Sequence, residues 1–439
     1  MKYVEQVKSV VLLFLVLLSV VLTLLIWNYK PDYAFLEEAP VEEITIGEEK
    51  QLKDVLKPYR LLFTQDGALK GTVSSSAIDS LYQELTTWRA EEFNLINSNL
   101  SNDKLNEVLR VDDRMTLFFS EQIPLPLFAG MLEFQEDELP EVSFDRIILD
   151  WGSMGAANQL QLLFVNKKER SLYRAYVTLP KRSKFKETVL DSITYYDEYV
   201  EIERLGELSM YVAQEPMESI QYTYYIDDIS PDLFKNILFT DPSIVQRNVE
   251  SAQSERYTDG MSLMTVDTQN RILNYVYPAA ESITPIPASK LIRDSVNFLN
   301  EHGGFTADYR FSAMNASRHA VEYQMYLQGY PVYSHMTTTR ITTTWGDNRI
   351  FRYRRPYYSL DVDITSVKTV RELPSGEEVV AHIQDNPELD YDAVGELVVG
   401  YYLMQNQNLR FYTLEPSWFA LINGSWTRIM LGGDEDGLE

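Results

Sequence analysis

The chain has 439 residues, 45% of them hydrophobic, which is enough to bury sizeable cores and too apolar for a disordered protein. Its 65 acids outweigh 39 bases to a formal charge of −26, a field that repels nucleic acid and argues against such a partner. The absence of cysteine excludes disulfides, thiolate metal sites and cysteine nucleophiles, while 29 tyrosines and 19 phenylalanines point to extensive sheet in an α+β fold.

From Val10 to Ile26 only Ser19 and Thr23 interrupt an apolar run. As a helix rising about 1.5 Å per residue it spans ~26 Å, close to the ~30 Å of a bilayer core. Lys2 and Lys8 precede it; Asp32, Glu37, Glu38, Glu42 and Glu43 follow. That asymmetry predicts residues 1–9 in the cytoplasm, a single-pass transmembrane anchor over 10–27, and the bulk of the chain outside the cell membrane. No small-x-small cleavage pattern follows Trp27, so the segment reads as an uncleaved signal anchor. Ser19 and Thr23 share a helix face, and with Trp27 at the outer end they are the candidate contacts for a second membrane helix. The alternative is that each hydroxyl bonds the carbonyl four residues back in its own helix.

Residues 28–50 are acidic, contain Pro31 and Pro40, and read as a stalk. Three exported domains are expected beyond it: an α+β unit over 51–140, a β-rich unit over 141–284 and an α+β unit over 285–432, before an acidic tail at 433–439. The last two read as helices on antiparallel sheets. Ile78, Leu81, Tyr82, Leu85 and Trp88 recur at helical spacing and predict helix across 74–110. Apolar runs at 147–149, 160–165 and 172–179, separated by turn-forming residues, predict antiparallel strands. A strand is expected at 222–226, a short helix at 231–238 and a hairpin over 257–277. Leu291, Ile292, Val296 and Leu299 lie on one face of a helix over 288–301 that Gly303-Gly304 stops. Strands follow with turns at 329–331 and 345–348, then a helix at 377–384 and strands at 397–404, 409–414 and 418–422.

Chemistry is sparse. His302, His319, His335 and His382 show no short metal-ligand spacing and read as surface or turn residues. No nucleophile elbow, phosphate loop or dinucleotide fingerprint occurs. Two S-x-x-K pairs, Ser101 with Lys104 and Ser183 with Lys186, match the spacing of serine-type wall enzymes, but neither has both of the partner motifs that such enzymes carry. No catalytic residue, metal or cofactor is therefore assigned. The one basic island in this acidic chain holds Arg349, Arg352, Arg354 and Arg355. Its guanidinium groups suit an acidic partner or an anionic wall polymer. Alternatively it is an edge strand protected by its charges and ended by Pro356.

Several stretches together resemble the YycH (WalH) family of membrane-anchored accessory proteins. They are the anchor ending Leu24-Leu25-Ile26-Trp27-Asn28-Tyr29-Lys30-Pro31-Asp32-Tyr33, and the run Phe234-Lys235-Asn236-Ile237-Leu238-Phe239 through Asp241-Pro242 to Tyr257-Thr258-Asp259-Gly260. Gly329-Tyr330-Pro331-Val332, Leu373-Pro374-Ser375-Gly376 and Gly400-Tyr401-Tyr402 complete the likeness. The resemblance implies a non-enzymatic regulator of the YycG/WalK sensor histidine kinase, serving cell-wall homeostasis in Gram-positive bacteria. It further implies a complex with the similarly anchored YycI/WalI, formed through transmembrane helices. It brings no catalytic residues. A wall-polymer binding module and a serine-type wall enzyme are the alternatives from other classes.

Overall fold

The computed structural model describes residues 12–23, 46–136, 138–154, 158–364, 368–405 and 410–431. Residues 12–23 are helical, and the remainder of the expected anchor with Trp27, the stalk up to residue 45 and the acidic tail lie outside the described residues. Among the described residues no helix is long and apolar enough to cross a membrane. The chain divides into two compact units, Met1–Ile44 and Thr45–Glu439.

The larger unit is a sheet-rich α+β structure. Its first sheet contains β1 (Arg60–Gln65), β2 (Ala68–Thr72), β3 (Arg89–Asn97), β4 (Arg114–Pro124), β5 (Glu133–Phe134), β6 (Ser143–Asp150), β7 (Gln159–Asn166), β8 (Ser171–Thr178), β9 (Asp197–Ile202) and β10 (Met210–Ala213). The order is β10-β9-β2-β1-β4-β6-β7-β8-β3-β5, antiparallel except for the short β3–β5 pair. Alternation of side chains gives this sheet two different faces. The row Leu61–Leu117–Ile147–Phe164 packs with Ile78, Leu81 and Leu85 of the helix Ser75–Leu85 in the main core. One residue along, the row Arg60–Phe118–Arg146 turns to the opposite side.

Two expectations are corrected here. The segment 74–110 is not one helix: Ser75–Leu85 and Asn102–Leu109 are helical, and β3 lies between them. Arg89-Ala90-Glu91-Glu92 contains good helix formers, but pairing with β8 overrides that weak local preference. The cost is visible in two register shifts and a positive φ at Glu92. The segments expected as separate units, 51–140 and 141–284, also share this sheet, since β4 pairs with β6.

The second sheet contains β11 (Met217–Asp228), β12 (Gln246–Ser251), β13 (Ser254–Thr258), β14 (Leu263–Asp267), β15 (Ile272–Val276), β16 (Asp308–Asn315), β17 (Ala320–Leu327), β18 (Tyr330–Tyr333), β19 (Arg340–Trp345), β20 (Ile350–Pro356), β21 (Tyr358–Asp363), β22 (Thr369–Leu373), β23 (Val394–Gln405), β24 (Phe411–Ile422) and β25 (Ser425–Arg428). Its main path runs β12-β13-β14-β15-β20-β19-β17-β18-β23-β24-β11-β21. Among the described residues of this sheet, only β18 and β23 pair in parallel. The helix Ala288–Glu301 buries Leu291, Ile292, Val296 and Leu299, and its Ser295 hydroxyl meets that of Thr343 at 2.7 Å. The helix Gly376–Asp385 is capped reciprocally by Ser375 and Glu378. Its Val379, Val380 and Ile383 pack with Met210 and Val212 of the first sheet and with Leu397 and Trp418 of the second. Phe411–Ile422 forms one strand where two, at 409–414 and 418–422, were expected. Pro416 sits where the outer neighbour changes from β11 to β25, so its missing N–H interrupts no continuous ladder there.

Candidate functional site

The basic island does not act as one patch. β20 lies inside the sheet between β15 and β19, which rules out the edge-strand alternative. Strand alternation then divides its arginines. Arg355 and Tyr353 point inward and are fully buried. The Arg355 guanidinium donates to Gly304 O (3.0 Å), Pro356 O (3.1 Å), Tyr353 Oη (2.8 Å) and Thr306 Oγ1 (3.3 Å), and stacks on Phe234. It is a core fastener and not a docking group. Arg352 and Arg354 point to the other face, exposed beside Thr342, Thr344 and Asn274, and neither has an ion-pair partner among the described residues. Arg349 belongs to neither set, because it stands in the turn before β20 with its guanidinium over the Tyr277 ring at 5.5 Å.

Arg349 lines a cleft of about 500 Å³ bounded by Ile237 to Thr240, the end of β15, the turn at 345–349 and one side of the helix Ala288–Glu301. Phe298, Tyr275, Tyr277 and Trp345 make its walls aromatic. His302 stacks on Phe298 at 4.1 Å and donates from Nδ1 to Phe298 O at 2.9 Å, which leaves Nε2 as an acceptor. Burial pushes this imidazole below its ordinary range, so it is neutral near pH 7. The cleft is within the size range of small-ligand sites. Sequence reasoning missed it because its walls come from segments more than a hundred residues apart.

A second constellation is sealed between the two sheets. Glu396 of β23 reaches Arg60 Nη2 at 3.2 Å and Arg146 Nη2 at 3.7 Å, and accepts from Tyr59 Oη at 2.9 Å. Phe118 lies between the two arginines, with guanidinium carbons 4.5 and 4.4 Å from its ring. Burial alone would raise the Glu396 carboxyl, but Arg60 and Arg146 hold it below the usual carboxylate range. Arg146 also meets Asp145 at 3.2 Å, so the charges of this cluster are paired within the chain and join the sheets.

The remaining candidates assemble no reactive group among the described residues. Thr23 Oγ1 donates to Ser19 O at 2.8 Å, so its proton is used inside its own helix, as the alternative reading held. Ser101 caps the helix Asn102–Leu109 by accepting from Lys104 N at 3.3 Å, and Lys104 Nζ pairs with Glu107 at 2.6 Å. Ser183 and Lys186 are exposed around the helix Arg182–Phe185, and their side chains share no hydrogen bond among the described residues. His319 is buried at positive φ with Nδ1 3.2 Å from Trp345 O, and His335 stacks on Tyr402. His382 sits in the last turn of the helix Gly376–Asp385. Among the described residues no three metal-ligating side chains converge.

The fold and site define a class: a sheet-dominated α+β protein that carries unpaired arginines at the rim of a cleft and on an open sheet face. The family models for the YycH protein N-terminal domain and the YycH protein C-terminal domain match residues 5–191 and 207–436, and the chain belongs to the YycH family. The "Two-component system WalR/WalK regulatory protein YycH" of Bacillus subtilis (strain 168) is 22% identical over 446 residues, covering 96% of this chain and 95% of that protein. The crystal structure of YycH from Bacillus subtilis superimposes with a TM-score of 0.76 at 20% identity, over 88% of this chain and 99% of that one, which shows the fold. The relative is thus a regulatory protein of a two-component system.

Proposed function

We propose that this protein regulates a sensor histidine kinase of the YycG/WalK type without being an enzyme itself. The carrying observation is its membership of a family whose Bacillus subtilis relative, alike along nearly the whole chain, is named for regulating WalR/WalK. The apolar run over 10–27 is the anchor in this proposal, with the N-terminus cytoplasmic and the folded unit outside. A kinase whose transmembrane helices have two packings a few kcal/mol apart is biased by any third helix that prefers one of them. Ser19, Thr23 and Trp27 mark the face proposed to meet the kinase and YycI/WalI helices. Since the Thr23 proton is spent within its helix, the contact at that position rests on packing and not on a hydrogen bond donated across helices.

The open face bearing Arg352 and Arg354 supports a second contact, with an acidic surface of a partner. Purification of the full-length protein from its native membrane in mild detergent tests both. The kinase and YycI/WalI are expected among the co-purifying proteins, and their absence at low and moderate salt would reject the assignment.

A further inference from the structure

The charges around the cleft are not all free. Asp294 is paired with Lys290. Asp259 accepts from the Met261 and Ser262 amides at 2.9 and 2.6 Å, holding its own turn. Two groups on the rim remain without an ion-pair partner among the described residues: Arg349, steadied on Tyr277, and Glu301. Glu301 is also badly placed for its helix. It is the last residue of Ala288–Glu301, a helix with no basic residue in its last turn, so its negative charge adds to the negative end of the helix dipole. A cation bound there relieves that repulsion. The same cleft is lined by Leu238, Met261 and Phe298, and the Trp345 Nε1 donor has no partner among the described residues.

We propose that this cleft binds a small zwitterion with an apolar side chain, an amino acid or short peptide, its ammonium group at Glu301 and its carboxylate at Arg349. The volume suits such a ligand, and a lining that combines one unpaired charge of each sign with apolar side chains matches its chemistry. The same helix end holds the segment that leads toward the N-terminal helix. Asn300 bonds both the N–H and the C=O of Lys50, at 3.0 and 2.9 Å. Glu48 and Phe305 exchange backbone hydrogen bonds of 2.9 and 2.8 Å. A ligand bridging Glu301 and Arg349 therefore stiffens the helix end that grips residues 48–50.

Calorimetric titration of the detergent-solubilised full chain with the dipeptide Leu-Leu tests this, alongside N-acetyl-Leu-Leu and Leu-Leu-amide. Leu-Leu is expected to bind saturably and each blocked form on the order of tenfold more weakly. Arg349→Ala should weaken Leu-Leu by a similar factor without further weakening the amide, and Glu301→Gln should do the converse with the acetyl form. Ligand should also slow hydrogen exchange at the Glu48 and Phe305 amides. No saturable binding at millimolar dipeptide, or affinities indifferent to blocking and to both substitutions in folded protein, would overturn the site. Unchanged exchange on saturation would overturn its link to residues 48–50. Binding is read on the isolated full chain, so a silent titration would leave the kinase assignment untouched.

Discussion

The joint between the sheets and the surface of the second sheet use the same residue type to opposite ends. At the joint, Arg60 and Arg146 face Glu396 from one cross-strand row, with Phe118 between them and Tyr59 completing the acceptor. On β20, Arg352 and Arg354 are alternate residues of a single strand and look out over threonines and an asparagine, and Arg349 stands over an aromatic ring at the cleft rim. A buried charge must be answered inside the chain, because desolvation penalises an unpaired ion by several kcal/mol. An exposed charge carries no such penalty and stays available. The lesson is that recognition should be sought where arginines lack partners, and stability where they have them.

The sharpest break in that contrast comes from the joint. Glu396→Ala leaves the buried Arg60 guanidinium without its anion and Arg146 with Asp145 alone, and should destabilise by about 3–5 kcal/mol in denaturant unfolding. Acid should act on the same residue. Glu396 titrates lower in the folded protein than in the unfolded chain, so its contribution is complete above the unfolded value of about 4.3 and is lost as pH falls through the folded value. Wild-type stability should therefore fall more steeply below about pH 4 than that of Glu396→Gln, as followed by circular dichroism. Ser101→Ala removes a helix cap and should cost about 1 kcal/mol with no loss of partner binding, which separates capping from catalysis. The smallest stability effect belongs to the open face: Arg352→Glu with Arg354→Glu should stay within about 0.5 kcal/mol. That pair should nevertheless release co-purifying partners, and retention in pull-down would deny the face a docking role.

Local pattern carried much of the fold. Pro231 through Leu238 and Ala288 through Glu301 are helices at the expected limits, and the runs at 147–149, 160–165 and 172–179 fall on strands β6, β7 and β8, the last ending one residue earlier at Thr178. Those elements have strong periodicity and clear stop residues. β3 is illegible because its helix-forming residues are held extended by distant partners, β8 along the strand and β5 at Arg89 and Ala90, and β24 is interrupted by a proline that only the change of neighbour from β11 to β25 accommodates. The division of the basic island was legible in principle, since period-2 alternation separates Arg352 and Arg354 from Arg355. Which set faces the core depends on the helix Ala288–Glu301 and on Phe234, and no local pattern encodes that. Glu396 and Arg60 lie 336 residues apart, and nothing in their neighbourhoods announces the pair.

The central claim, regulation through the N-terminal helix, is tested most directly by autophosphorylation of the kinase co-reconstituted in proteoliposomes with this protein. The wild-type chain should change the rate, and a chain whose residues 10–27 are replaced by an unrelated apolar helix should leave the kinase at its rate alone. An equal effect from the swapped chain, or none from the wild type, would contradict the account.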